Sequence, residues 1–352
     1  MEYKKVSPFK AKFLNYVLKS KNILLSTHLS PDDDAFSSMV SLKYFLSKKY
    51  PNKKIIMVVS SDLSSRYSSF YGYKEIIKNK DITEYINKFD LFIGTDASEF
   101  HRFSKYPEIL KNSPFPKIFI DHHKTLSSNT DLILKRNTAT SAAEIIYDLI
   151  HDSINIDQTL AELLILGILG DTGSLTFVRP DQRRIFKIFQ DLLKRTPIDI
   201  QEFKSRYSKI SPEVFKIFQE FVANNQYMHI KGWPKFQVTF LSREYLETNK
   251  IDDSLVSEAA DIFVDQYLRL IEGYPWGFLV KPRTSDNSCT YSLRSLPGSV
   301  NVRLLIEQLN LGGGHDRASG GKLINQDGSP VSVDKAINTI TDWMKNHPPT
   351  LT

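Results

Sequence analysis

Histidines and aspartates recur in this sequence where the chain leaves an apolar run. Residues 23–27 lead into His28-Leu29-Ser30-Pro31-Asp32-Asp33-Asp34, residues 91–95 into Asp96, and residues 118–120 into Asp121-His122-His123. A fourth acid, Asp171, stands in Gly170-Asp171-Thr172-Gly173 behind the apolar run 160–169. Four carboxylates brought together repel and raise one another's pKa unless cations neutralise them. His28, Asp32, Asp34, Asp96, His122 and Asp171 are therefore a candidate metal-ligating set. Two cations about 3.5–4 Å apart would share a carboxylate. An oxygen-rich set with two histidines suits two Mn²⁺, with Mg²⁺ or Co²⁺ as alternatives and zinc less favoured. Taken singly, each motif also has an ordinary structural reading: an acidic first helical turn at 32–34, a cap at Asp96, a turn at 170–173. The adjacent pair His122-His123 is harder to assign to packing, and recurrence at four element ends points to chemistry.

For those ends to meet, the apolar runs must lie side by side. Runs 23–27, 55–59, 91–95 and 117–120 are rich in β-branched residues and alternate with helical patterns at Phe36, Met39, Val40 and Leu46, at 141–150 and at 160–169. This predicts the α/β class with an N-terminal doubly wound parallel sheet. Ligands of such sheets bind along the carboxyl ends of the strands, so clusters distant in sequence would converge there. Residues 181–225 read as helical, with Ser211-Pro212 as a start signal. The pattern then restarts with strand-like KFQVTFL, an amphipathic stretch at 253–269, strand-like WGFLV and CTYSLRS, and a final helix at 333–345. The expected division is a metal-binding domain at 1–185, a helical linker at 186–226 and a smaller C-terminal α/β domain at 227–352. A length of 352 residues suits about two domains of roughly 150 residues.

The motifs His28-x-x-Pro-Asp32-x-Asp34-Ala35, Asp96, Asp121-His122-His123, Gly170-Asp171-Thr172-Gly173 and Gly312-Gly313-Gly314-His315 occur in the order found in the DHH phosphoesterase superfamily. Over nearly its whole length the sequence resembles the branch with a DHH-associated C-terminal domain, and within it the nanoRNase/pAp-phosphatase type. The resemblance implies that His28, Asp32 and Asp96 hold one metal and that Asp34, Asp96, His122 and Asp171 hold the other, with Asp96 bridging. It also implies that Asp121 orients a neighbouring histidine and that His123 is a catalytic residue facing the substrate phosphate. The implied activity is manganese-dependent hydrolysis of short oligoribonucleotides to mononucleotides and of 3′-phosphoadenosine 5′-phosphate (pAp) to AMP. Cyclic-di-AMP or its linear product pApA is the alternative substrate. A non-catalytic RNA- or nucleotide-binding protein is disfavoured because every implied ligand is present. The partners are thus short RNA and adenosine bisphosphates or dinucleotides, not a membrane, and a homodimer is compatible with the resemblance. Two departures bear on the substrate pocket: Phe36-Ser37 follows Ala35 where the family usually has Gly-Ser, and Ser174-Leu175 follows Gly173.

Five of the fifteen glycines fall within residues 312–321. A glycine-rich loop there would present backbone amides to phosphate oxygens. Gly312, Gly313, Gly314 and His315, together with Arg294 in Ser292-Leu293-Arg294-Ser295, are the candidate substrate-binding residues, since a guanidinium suits phosphate. Arg102 is a weaker candidate. The alternation Tyr274, Trp276, Phe278 reads as core packing rather than base stacking. A hydrophobic content of 41% with 24% charged residues excludes a disordered chain. The single Cys289 excludes an internal disulfide or a cysteine-built metal site. No signal peptide is recognisable in the first twenty residues, and the longest apolar stretch, 163–169, is far too short for a transmembrane helix, so a soluble, cytoplasmic protein is expected. A net charge of +6 mildly favours anionic partners.

Overall fold

The computed structural model describes residues 8–124 and 127–351. The chain divides into two compact units, Met1–Lys209 and Ile210–Thr352. In the first unit α1 (Pro8–Lys19) is followed by β1 (Asn22–Thr27), α2 (Asp33–Lys49), β2 (Lys54–Val59), β3 (Ile76–Lys78), β4 (Leu91–Thr95), α3 (Pro107–Lys111), β5 (Lys117–Asp121), β6 (Leu132–Lys135), α4 (Ala142–Ile150), α5 (Gln158–Asp171), α6 (Arg184–Arg195) and α7 (Ile200–Tyr207). The six strands form one parallel sheet in the order β3-β2-β1-β4-β5-β6. The four apolar runs are its four central strands. Edge strands β3 and β6, of three and four residues, are too short to leave a readable period.

The sheet is buried on both faces, as continuous apolar strands require. Helices α2, α4 and α5 pack on one face with a core that includes Leu25, Phe36, Ile93, Ile120, Ile146 and Leu164. The other face is covered by α3 and short 3₁₀ turns around Phe92, Phe103 and Phe119. Strand order reverses between β1 and β4, which opens a crevice at their carboxyl ends.

The second unit runs through α8 (Pro212–Ala223), β7 (Gln226–Met228), β8 (Phe236–Phe240), α9 (Arg243–Thr248), α10 (Asp253–Gln266), β9 (Trp276–Pro282), β10 (Cys289–Ser295), α11 (Val302–Gln308), β11 (Gly312–His315), β12 (Ala318–Leu323) and α12 (Val333–Asn346). Its mixed sheet has the order β11-β12-β10-β9-β8-β7, with β8 and β9 parallel. Alternation sorts its two faces: Phe236, Trp276 and Phe278 pack with α11 and α12, while Leu279 packs with α8 and α10. Trp276 and Phe278 are fully buried, as the packing reading expected, and the Tyr274 ring lies 4.7 Å from that of Tyr227.

The helical stretch expected as a separate linker at 186–226 is divided instead. Helix α6 buries Ile185, Ile188 and Leu192 in the first core, and α8 buries Val214, Ile217 and Phe221 in the second. Amphipathic helices of this kind must cover apolar surface, so each joins the nearer sheet. The glycine-rich loop is also corrected: residues 312–315 and 318–323 form an antiparallel hairpin, with Gly312 opposite Gly321 and His315 opposite Ala318. Its glycines answer to close packing, because a Cβ on Gly312 would lie 2.1 Å from the Gly320 carbonyl oxygen and one on Gly321 2.8 Å from Ile306. No helix among the described residues is long and apolar enough to cross a membrane.

Helix α5 approaches α2 closely at Gly167, where a Cβ would lie 2.6 Å from Ser37 Oγ and 2.8 Å from both Asp34 Oδ1 and the Ala143 Cβ. Alanine normally favours a helix interior by up to about 1 kcal/mol. Here the overpacking cost of about 1–3 kcal/mol should prevail. Gly167→Ala is expected to lower the urea midpoint at an unchanged m-value; a higher midpoint would show that α2 and α5 separate easily.

Candidate metal centre

The carboxyl ends of β1, β4 and β5 deliver His28, Asp96 and Asp121-His122-His123 to the crevice. The N-terminus of α2 adds Asp32 and Asp34, and the last residue of α5 adds Asp171. His28 donates its Nδ1–H to the Leu29 carbonyl oxygen at 2.8 Å, which leaves Nε2 as its ligand nitrogen, 3.3 Å from Asp96 Oδ2. Asp32 caps α2 by accepting the Ala35 amide with Oδ1, and its Oδ2 lies 3.9 Å from His28 Nε2. Asp34 is fully buried and accepts the Ala142 and Ala143 amides at the start of α4, together with the Ser38 hydroxyl. A helix N-terminus stabilises such an anion. His122 Nε2 lies 2.9 Å from Asp171 Oδ2, 3.4 Å from Asp96 Oδ1 and 3.9 Å from Asp34 Oδ2.

Donor atoms of His28, Asp32 and Asp96 fall within 4.8 Å of one another, as do those of Asp34, Asp96 and His122. Asp96 is common to both triads. Its Oδ1 is buried and has no hydrogen-bond partner among the described residues, an arrangement that is costly for a carboxylate unless neighbouring positive charge compensates it. Asp96 also sits at φ 58°, in left-handed backbone that aspartate tolerates better than most residues. Left-handed backbone also follows Asp171, at Gly173, Ser174 and Leu175. Strain of this kind concentrates at functional sites. The donor set therefore fits divalent cations.

Asp121 stands behind the triads. Its Oδ1 accepts the His123 Nδ1–H at 2.8 Å and the His123 amide at 3.1 Å, while Oδ2 accepts the Ser98 hydroxyl at 2.6 Å and lies 3.2 Å from Lys135 Nζ. The histidine that Asp121 orients is thus His123. Ser98 and Lys135 were missed from sequence, since a serine in a turn and a lysine ending a short edge strand carry no motif. Asp33, off the expected ligand set, is bound by Arg66 and Tyr67. The Arg102 side chain is exposed, and its carbonyl accepts the Leu29 amide. Arg294, on β10, pairs with Asp265 at 3.0 Å, and Gly312, Gly313, Gly314 and His315 form β11; all five belong to the second unit.

The acids do not share one ionisation state. Burial raises the pKa of Asp34 well above the carboxylate range, helped by Asp96 and Asp171. Burial also pushes Asp171 up to about 6 against the pull of His122. Asp96, despite its burial, is held well below the ordinary range by His122 and His28, and burial of His122 is outweighed by Asp171 and Asp96, which raise its pKa. Without metal, the raised groups keep protons to higher pH than usual. Metal ligands must be deprotonated, so binding expels those protons. Titration calorimetry with Mn²⁺ at pH 7 in buffers of different ionisation enthalpy should show net proton release, and affinity should weaken as pH falls through about 6. Asp96→Asn, which tolerates the left-handed backbone, should lose bound metal while keeping its far-UV circular dichroism. Unchanged metal content in that variant would remove Asp96 from the centre.

Residues 22–168 match the family described as "DHH family, N-terminal domain". The chain is 26% identical over 330 residues to the bifunctional oligoribonuclease and PAP phosphatase NrnA of Bacillus subtilis, covering 92% of this chain and 95% of that protein. It is likewise 26% identical over 303 residues to a probable NrnA of Streptococcus mutans, covering 85% and 88%. Among solved structures, an exopolyphosphatase-related protein from Bacteroides fragilis superposes with a TM-score of 0.78 at 21% identity, covering 96% of this chain and 97% of that one, which establishes a shared fold. The motif residues gathered at the ends of β1, β4 and β5 lie within the stretch that matches this DHH N-terminal domain, and over most of its length the chain is similar to phosphoester hydrolases that carry it.

Proposed function

We propose that this hydrolase uses two Mn²⁺ ions to release mononucleotides from short oligoribonucleotides and to convert pAp to AMP. The observation that carries this reading is the pair of donor triads sharing Asp96. His28, Asp32 and Asp96 would hold one ion, and Asp34, Asp96, His122 and Asp171 the other. Bound cations of this kind lower the pKa of water and neutralise charge on a phosphoryl group. Substrate class follows from the two NrnA relatives, whose names specify oligoribonucleotides and PAP.

His123 has the arrangement of a proton donor. Asp121, although buried, is held below the ordinary carboxylate range by His123 and Ser98, so it remains an anion. Held at Nδ1 by that anion, the His123 ring would present Nε2 to the leaving oxygen and deliver a proton there as water adds to phosphorus and the ester P–O bond breaks. Arg294 and the β11 hairpin would bind the nucleotide, with Arg294 exchanging Asp265 for a substrate phosphate.

One Mn²⁺-loaded preparation assayed on five-nucleotide RNA, pAp, pApA and cyclic-di-AMP tests the substrate class. Turnover of RNA and pAp is expected to exceed that of cyclic-di-AMP; the reverse order would make the protein a cyclic dinucleotide phosphodiesterase. His123→Ala should retain both metals yet lose roughly 10²–10⁴-fold in kcat. Metal loss in that variant would instead make His123 a ligand.

Arg294→Ala should weaken binding of short RNA by about 1.5–3 kcal/mol, the scale of a charged hydrogen bond, with metal content unchanged. Bis-p-nitrophenyl phosphate, which lacks a nucleotide, should be affected far less. Equal losses in kcat/KM on both substrates would withdraw Arg294 from nucleotide recognition.

A further inference from the structure

Between the proposed ligands Asp32 and Asp34 stands Asp33, and the surrounding chain invests heavily in it. Asp33 Oδ1 accepts from Arg66 Nη2 at 2.6 Å and from the Tyr67 hydroxyl at 2.8 Å, and Arg66 Nη2 also donates to the Tyr67 oxygen at 2.7 Å. The Arg66–Asp33 pair is largely withdrawn from water, with side-chain exposures of 24% and 14%. A charged hydrogen bond so placed is stronger than a surface ion pair. On its other side Asp33 meets α5: a Cβ on Gly170 would lie only 2.4 Å from the Asp33 Cβ. Asp33 therefore lies against the residue that precedes Asp171.

The segment carrying Arg66 and Tyr67 is itself fixed. It is a 3₁₀ turn, Ser65–Ser69, that follows β2 and has no sheet partner to hold it. Tyr67 is fully buried and stacks on Phe36 with centroids 4.4 Å apart and planes 9° from parallel. Phe36 lies one helical turn after Asp33 and faces the same way. Phe70, next in the segment, packs 5.8 Å from Phe203 and 6.0 Å from Tyr207 of α7. Helix α7 is in turn tied to α5 by Arg206 and Glu162 at 2.7 Å.

We propose that Arg66 and Tyr67 are positioning residues for the metal centre: they hold Asp33 against Gly170 and so fix the separation between the acids starting α2 and Asp171 ending α5. Both would act through their hydrogen bonds to Asp33. Groups that orient metal ligands typically contribute 10–100-fold to metal affinity or activity. The Tyr67 ring supplies the packing and its hydroxyl the contact, so the two contributions separate in Tyr67→Phe.

The inference rests on the metal centre proposed above, and titration of the full-length protein with Mn²⁺ alone distinguishes the two. Arg66→Gln should weaken Mn²⁺ binding roughly 10–100-fold. Saturating Mn²⁺ should restore kcat, and the KM for short RNA should be unchanged. Arg66→Lys should recover part of the affinity. Tyr67→Phe, which keeps the stack on Phe36, should show a smaller loss at an unchanged urea midpoint. Wild-type Mn²⁺ affinity in Arg66→Gln overturns the positioning role and leaves the centre standing. A raised KM for RNA at normal Mn²⁺ affinity also overturns it, by making Arg66 a substrate contact. No Mn²⁺ binding by the wild-type protein overturns both.

Discussion

A single buried carboxylate sets the terms for this site. Asp96 follows β4 at the point where strand order reverses, is almost entirely excluded from water and lies between the His28 and His122 imidazoles. Burying an anion is expensive unless opposite charge compensates it. Histidines on the flanking strands β1 and β5 supply that charge when protonated, and divalent cations supply it when bound. The left-handed turn at Asp96 brings its carboxylate to both triads, so the geometry of each depends on one residue.

The remaining acids avoid mutual repulsion by having different partners. Asp34 is met by the first amides of α4, Asp171 by His122, Asp121 by Ser98, Lys135 and the His123 ring, and Asp33 by Arg66 and Tyr67. Asp34 and Asp171 therefore keep protons to higher pH than Asp96 and Asp121 do. That difference suits a site meant to exchange protons for cations, because groups that keep a proton without metal relieve the repulsion that folding would otherwise incur.

In the second unit, the glycine run shows that a composition can be explained twice. Its backbone is an edge hairpin whose glycines let two strands and α11 approach closely. An edge strand also keeps outward amide groups available to a ligand, so packing and phosphate binding make the same demand on the sequence.

The sequence by itself determined the central strands, the α/β class and which residues gather in the candidate centre, because most of its motifs end a β-branched run whose period is local. His28, Asp96 and His122 are legible for that reason. Edge strands β3 and β6 were not legible, since three or four residues hold no period, and the glycine run hid a hairpin because glycine carries no side chain to alternate. Only the tertiary structure decided which histidine Asp121 orients, how helices 186–226 divide between two cores, and that Asp33 is gripped by Arg66 and Tyr67. Those outcomes rest on hydrogen bonds and contacts between residues tens of positions apart, and local spacing carries no record of such distances until the sheet and its helices bring the partners together.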